Sequence, residues 1–82
     1  MVKVVLTSGT SQQFTAGQVE VEVEATDLRQ MVRALDEKFP GLGAEIDLHM
    51  SVALDGVILP DPLLEKVDDG SEVFILPKIG GG

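Results

Sequence analysis

The plainest chemistry in this sequence lies in Gly80-Gly81-Gly82, reached through Pro77-Lys78-Ile79 from an apolar run, Val73-Phe74-Ile75-Leu76. The run reads as a core strand, so the glycines follow the body of a fold within three residues. Chain ends usually fray; one that leaves a core strand so directly is held out for a visitor. Glycines have no side chains, so an enzyme can close a narrow channel around Gly80 and Gly81 and reach the carboxylate of Gly82. That carboxylate is a poor electrophile, because it is negatively charged and has no leaving group. Adenylation supplies one, after which a sulfur or nitrogen nucleophile gives a thiocarboxylate or an amide. ATP, magnesium and the oxyanion donors belong to a partner enzyme, and no cofactor is expected on the chain itself. The six residues after Leu76 span roughly 20 Å when extended, enough to enter a buried site while the domain stays outside. The bland alternative is a frayed tail without a role; the short distance from the strand argues against it.

Other candidates for chemistry are weaker. His49 is the single histidine, set between Leu48 and Met50 in what reads as a strand, and a surface or edge position is expected for it. Ser8, Ser11, Ser51 and Ser71 have no histidine nearby in sequence, and nothing suggests an orienting acid or an oxyanion hole. Asp68-Asp69 lacks the alternating oxygen ligands and distal glutamate of a calcium loop and reads as an acidic turn. Gly41-Leu42-Gly43 lacks the strand–loop–helix context of a phosphate cradle. No metal site is expected, and the absence of cysteine removes thiolate ligands, disulfides and a sulfur nucleophile. The chain reads as a protein substrate for another enzyme.

Eighty-two residues suffice for one small domain with a core of its own. Fourteen acidic residues against six basic ones leave a net charge of -8, which opposes binding to nucleic acid. The charge suits a partner with a basic docking face, or simply keeps a small protein dissolved. No apolar stretch approaches the length that crosses a bilayer, and Met1-Val2-Lys3-Val4-Val5-Leu6 lacks a signal-peptide pattern. A cytoplasmic location is expected.

The elements that must position the tail are legible from pattern. Val2 to Thr7 reads as a first strand, and Ser8 to Gln13 as a polar turn, with Phe14 folding inward near its tip. Val19-Glu20-Val21-Glu22-Val23-Glu24 alternates strictly, a strand with one buried and one wet face. Thr26 is the expected N-cap of a helix whose apolar stripe is Leu28, Met31, Val32, Leu35 and Phe39, stopped by Pro40-Gly41. Arg29 and Arg33 lie off the stripe as like charges one turn apart, while Asp36 and Glu37 gain nothing from the helix dipole. Gly41 to Asp47 reads as a loop or weak strand, Leu48 to Leu54 as a strand, and Asp55-Gly56 as a hairpin turn into Val57-Ile58-Leu59. Leu63 to Val67 is expected to make one tight helical turn. Strands one and two would be antiparallel, and the helical crossing lets the last strand lie parallel beside the first, in the centre. The expected class is α+β, a β-grasp fold with a mixed four- to five-stranded sheet on one main helix. Residues 1–77 would form the domain and residues 78–82 a flexible glycine tail.

At Asp55-Gly56, Asp69-Gly70-Ser71-Glu72-Val73 and Phe74 through Gly82, the chain resembles the ubiquitin-like sulfur-carrier family. That family includes the small subunit of molybdopterin synthase and the thiamine-pathway sulfur carrier. The first half matches by element order. The resemblance implies that Gly81-Gly82 is adenylated by an E1-like enzyme and converted to a thiocarboxylate that donates sulfide, with a large synthase subunit as a possible partner. Pro77 leans toward the molybdopterin type, whereas Thr7 to Gly17 lacks that type's arginine- and leucine-bearing segment. A thiamine or other sulfur route therefore stays open.

Alternation places either Phe74 and Leu76 or Val73 and Ile75 outward, and a register with the latter pair inside makes Phe74 and Leu76 the docking anchors. Ile79 and Gly80 would extend that patch, and Lys78 would orient the tail toward an acid on the activating enzyme. Two further readings compete with the carrier. One is a ubiquitin-like modifier ending as an amide on lysines; the other is a non-covalent binding module with an irrelevant tail.

Overall fold

A computed structural model of the chain describes residues 1–59 and 65–78. In it the strand β5 (Glu72–Pro77) occupies the middle of a five-stranded sheet, paired on both sides, with Val73 and Ile75 fully buried. The other strands are β1 (Val2–Leu6), β2 (Glu20–Val23), β3 (Met50–Leu54) and β4 (Val57–Ile58), in the order β2-β1-β5-β3-β4. β1 runs antiparallel to β2 and parallel to β5, with Val4 opposite both Val21 and Val73. β5 is antiparallel to β3, with Ile75 opposite Val52. Among the described residues three helices join them: α1 (Ser8–Phe14), α2 (Leu28–Lys38) and α3 (Leu42–His49). This is the α+β, β-grasp arrangement the element order predicts, and α2 is its main helix.

The core follows from the two periodicities. Val2, Val4 and Leu6 alternate inward from β1, and Val21 and Val23 do so from β2. Leu28, Met31 and Leu35, spaced by three and four, bring the apolar stripe of α2 down onto them. Val19 lies before β2 and is 43% exposed, so the alternation of valines outruns the paired strand by one residue. Phe14 is half-buried and packs against the core, as its inward position at the end of a polar segment requires.

Two segments differ from their sequence reading. Ser8 to Gln13 is not a turn but most of α1. Thr7 caps it, accepting from the Thr10 N–H at 3.4 Å, and the carbonyl of the buried Ser11 collects the Thr15 and Gly17 amides at 2.8 and 2.9 Å. Gly41 to Asp47 is not a loop but the start of α3, which buries Leu42 and Ile46 one turn apart. His49 is thereby the last residue of α3, and β3 begins at Met50. The N-cap of α2 is also displaced by one: Asp27 Oδ1 accepts from the Gln30 N–H at 2.8 Å, while Thr26 donates its hydroxyl to Gln30 Oε1. The expected helical turn at Leu63–Val67 lies partly outside the described residues. Its last part, Glu65 to Val67, is extended, with Lys66 bridged to Asp27 and Val67 buried.

The join between α2 and α3 explains Asp36. Gly41, at φ 95°, caps α3 without a side chain. Asp36 Oδ1 reaches across from α2 and accepts the Gly41 and Gly43 amides at 3.1 and 3.0 Å. A carboxylate misplaced for its own helix thus neutralises the N-terminal amides of the next one. The helices approach so closely that a Cβ on Gly43 would sit 2.9 Å from the Asp36 Cβ. That carbon is fixed to the backbone of α2 and cannot swing aside. Gly43→Ala gains about 1 kcal/mol of helix propensity, yet overpacking costs about 1–3 kcal/mol and the cap geometry is lost as well. The expected net result is a lower urea midpoint at unchanged m-value; a midpoint above wild type would contradict the close approach.

The β3–β4 hairpin is the Asp55-Gly56 turn, with φ 49° and 90° at its two central residues, the left-handed pair this hairpin needs. Asp55 does more than turn the chain. Its N–H donates to the Glu72 carbonyl at 2.9 Å, and its Oδ1 accepts from the Glu72 N–H at 3.0 Å. The hairpin therefore pins the first residue of β5, which sets where that strand starts and where it leaves the sheet.

Candidate functional site

With Val73 and Ile75 fixed inward, β5 presents Glu72, Phe74 and Leu76 on the face of the sheet away from the buried core, all half-buried. Cross-strand register assembles neighbours around them. Val5 of β1 and Ala53 of β3 flank Phe74, Ile58 of β4 pairs with Ala53, and Ser51 pairs with Leu76. The result is an apolar row, Val5–Phe74–Ala53–Ile58, crossing the sheet, with Leu76 beside it toward the end of β5. Ile58 is 61% exposed, and Phe74 is only partly covered because its neighbours are small or branched aliphatic groups on the same face. Large apolar groups left partly wet and grouped in this way suit interface anchors better than folding anchors.

A charged fringe bounds the row on the β2 side. Lys3 Nζ lies 3.4 Å from Glu20 and 3.5 Å from Glu72. Hydrogen bonding and charge from Glu20, and then from Glu72, hold the Lys3 ammonium above the ordinary lysine value. Lys3 therefore stays charged but is occupied by carboxylates of its own chain, and with Glu22 also exposed on β2 this margin remains acidic.

Of the sequence-predicted residues, Phe74 and Leu76 come together on this face. Lys78 is exposed, and its N–H donates to the His49 carbonyl at 3.0 Å, a last rung beyond β5. Ile79, Gly80, Gly81 and Gly82 lie outside the described residues. Val5, Ala53 and Ile58 are members of the face that the sequence reading did not name. An apolar residue at the outward position of β1, next to Lys3, was the available signal.

The alternative chemical candidates find structural employment. His49 is exposed and pairs its Nδ1 with Glu45 Oε1 at 2.9 Å, one turn back on α3. Ser11 bonds the Ser8 carbonyl, and Ser71 bonds Asp68. Asp68 Oδ1 accepts the Gly70 N–H at 2.9 Å, an acidic turn. Asp69 is paired with the amino group of Met1, which lowers its carboxyl below the usual value. Among the described residues no group of three or more histidine or carboxylate side chains is placed to hold a metal, and no helix is long and apolar enough to cross a membrane.

A mixed sheet with parallel β1 and β5 at its centre, wrapped on one side by α2, is the architecture of the ubiquitin-like proteins, and it puts the strand that leads to the glycines beside an open apolar face. The chain belongs to the ThiS family, whose model matches residues 5–82. It is therefore a sulfur carrier of the ubiquitin-like kind, a protein co-substrate and not itself an enzyme, and membership implies an E1-like activating partner. Among solved structures it is similar to a chain of the Amycolatopsis orientalis BexX/CysO complex, at 20% identity and TM-score 0.86 over 100% of both chains. It is also similar to Mycobacterium tuberculosis CysO, described as an antigen, at 18% identity and TM-score 0.84 over 96% of this chain and 100% of that one. The Haloferax volcanii HVO 2177 protein follows at 18% identity and TM-score 0.76, over 99% of this chain and 85% of that one. At these identities the likeness is one of fold. No curated protein matches the chain at a significant level.

Proposed function

We propose that the carboxylate of Gly82 is the group that carries sulfur. A carboxylate oxygen attacks the α-phosphorus of ATP on the E1-like partner and releases pyrophosphate. Hydrosulfide, or its equivalent on a donor, then attacks the acyl carbon and expels AMP, leaving a thiocarboxylate. The family match carries this reading, because it extends through the glycines to residue 82. Gly80 and Gly81 serve by having no side chains to obstruct a channel, and Lys78 and Ile79 lead the tail toward it. The test is intact mass after incubation with the E1-like enzyme, ATP, magnesium and a sulfur donor. The expected product is heavier by the exchange of one oxygen for sulfur. Amide ladders on other proteins would indicate a modifier instead, and no covalent change at all a binding module.

The acceptor we assign first is the pterin precursor of molybdopterin, with a large synthase subunit as second partner; Pro77 at the end of β5 supports it. A thiamine or other sulfur route is the second reading, favoured by Thr7 to Gly17, which lacks the arginine- and leucine-bearing segment of the molybdopterin type. Supplying the thiocarboxylated chain to each acceptor system separates them. A cytoplasmic setting fits all of these acceptors.

The same reading makes Phe74 the centre of the docking face. Phe74→Ser is expected to weaken capture by the activating enzyme roughly 30-fold, the size of a 2 kcal/mol anchor. Loading of the variant at saturating enzyme should approach wild type. Equal half-saturation for the two proteins would remove Phe74 from the interface.

A further inference from the structure

We propose that the end of α3, Leu48 and His49, forms a collar at the base of the tail on which the E1-like partner seats, with Leu48 as its apolar anchor. The inference deepens the carrier reading and rests on it, because it names where the enzyme that takes the tail touches the domain. β5 loses its neighbour on one side first. β1 ends at Leu6, level with Ile75, whereas β3 pairs with β5 as far as Pro77, through Met50. One residue further on, the Lys78 N–H donates to the His49 carbonyl at 3.0 Å. That carbonyl is one of those a helix leaves unbonded at its C-terminus, so the end of α3 is completed by the first residue of the tail. The His49 side chain is tied back to Glu45 at 2.9 Å, one turn earlier. Beyond Ile75, the backbone pairing among the described residues therefore comes from the β3 and α3 side alone.

Reach makes contact at this place unavoidable. Gly82 lies four residues past Lys78, at most about 14 Å away at 3.3–3.6 Å per residue. An enzyme that closes a channel around the glycines and brings ATP to that carboxylate must set the channel mouth against the end of α3. What it meets there is apolar and has no folding role. Leu48 is 66% exposed and stands two residues from the buried Ile46, on the side of α3 turned away from the core. Single exposed apolar side chains are common. This one is set apart by its neighbour, the residue that accepts the last hydrogen bond from the departing chain. Leu76 pairs with Ser51 two residues earlier, so the collar continues the apolar face around Phe74. The charges beside it are Asp47 on α3 and Lys78 on the tail base, of opposite sign, while Glu45 is engaged by His49. They offset one another and leave the leucine as the group an enzyme surface gains most by covering.

The test measures binding of the full chain to the purified cognate E1-like enzyme without ATP, by isothermal titration. Leu48→Ser should raise the Kd about tenfold, the scale of a leucine that passes from largely wet to covered, at an unchanged melting temperature. Leu48→Met should restore tight binding, since it keeps the apolar volume. Val57→Ser is the matched control. It removes a side chain that is 62% exposed at the far end of β3, opposite Leu54, and should leave the Kd within about twofold. The ratio between wild type and Leu48→Ser should also hold as ionic strength rises from about 0.1 to about 1 M, where the screening length drops from about 10 to about 3 Å. An unchanged Kd for Leu48→Ser, an equal loss for Val57→Ser, no rescue by Leu48→Met, or a ratio that collapses in salt would overturn the proposal. So would a Leu48-dependent dimer of the free chain, in which a second copy covers the residue. Sulfur loading of the wild type is read separately by mass. A wild-type chain that neither binds nor loads removes the carrier reading and the collar with it; one that binds and loads, with Leu48→Ser its equal, removes the collar alone.

Discussion

Deletion of Gly82 is expected to abolish thiocarboxylate formation outright while leaving the melting temperature where it was. The chemical half of that result follows from the proposed reaction. Removing the residue moves the carboxylate back by one unit of chain, about 3.3–3.6 Å, and adenylation demands that the reacting oxygen and phosphorus meet within about 3–3.5 Å. A shortfall of that size leaves no productive geometry. The thermodynamic half follows from the fold, since every member of the described core lies between Val2 and Ile75. Gly81→Val should slow loading severely while leaving the carboxylate present, because a β-branched side chain would have to enter the channel. Intact mass and a thermal melt on the same samples check both halves. Full loading of the truncated chain would end the proposed role of Gly82.

Leu35→Ala should give the opposite signature. Leu35 is fully buried on the core stripe of α2, and truncating a leucine in such a site costs about 2–5 kcal/mol. A small domain has about 5–15 kcal/mol in all, so the urea midpoint should fall steeply while the m-value holds. Sulfur loading should persist at temperatures where the variant is still folded and disappear with the fold. Loss of loading in a fully folded Leu35→Ala sample would mean that α2 contributes to activation directly.

Much of the fold was readable because its strongest signals are local. The alternation of Val21 and Val23 with glutamates, the stripe Leu28–Met31–Leu35 and the Asp55-Gly56 turn each fix a conformation within a few residues. The two short helices were not readable for different physical reasons. α1 is built of Ser, Gly, Thr and Gln up to its last residue, Phe14, with no apolar period, and its stability comes from Thr7 at one end and the Ser11 carbonyl at the other. α3 did carry a signal, Leu42 and Ile46 one turn apart, but Leu48 at 66% exposure blurs the stripe and the cap comes from Asp36 on another helix. The candidate site divides in the same way. Phe74 and Leu76 follow from alternation along one strand once Val73 and Ile75 are inside. Val5, Ala53 and Ile58 join them only through pairings between strands far apart in sequence, and register of that kind is written in contacts rather than in neighbours.

The central place of β5 bears on how the molecule is made. β1 is synthesised well before its parallel neighbour β5, and β3 likewise has to wait for that strand. A nascent chain halted before Glu72 owns two strand pairs, β1–β2 and β3–β4, with nothing to bridge them and cannot close its sheet. The pairing that closes the sheet and the strand that carries the docking face are thereby one and the same, so a chain that lacks β5 lacks both.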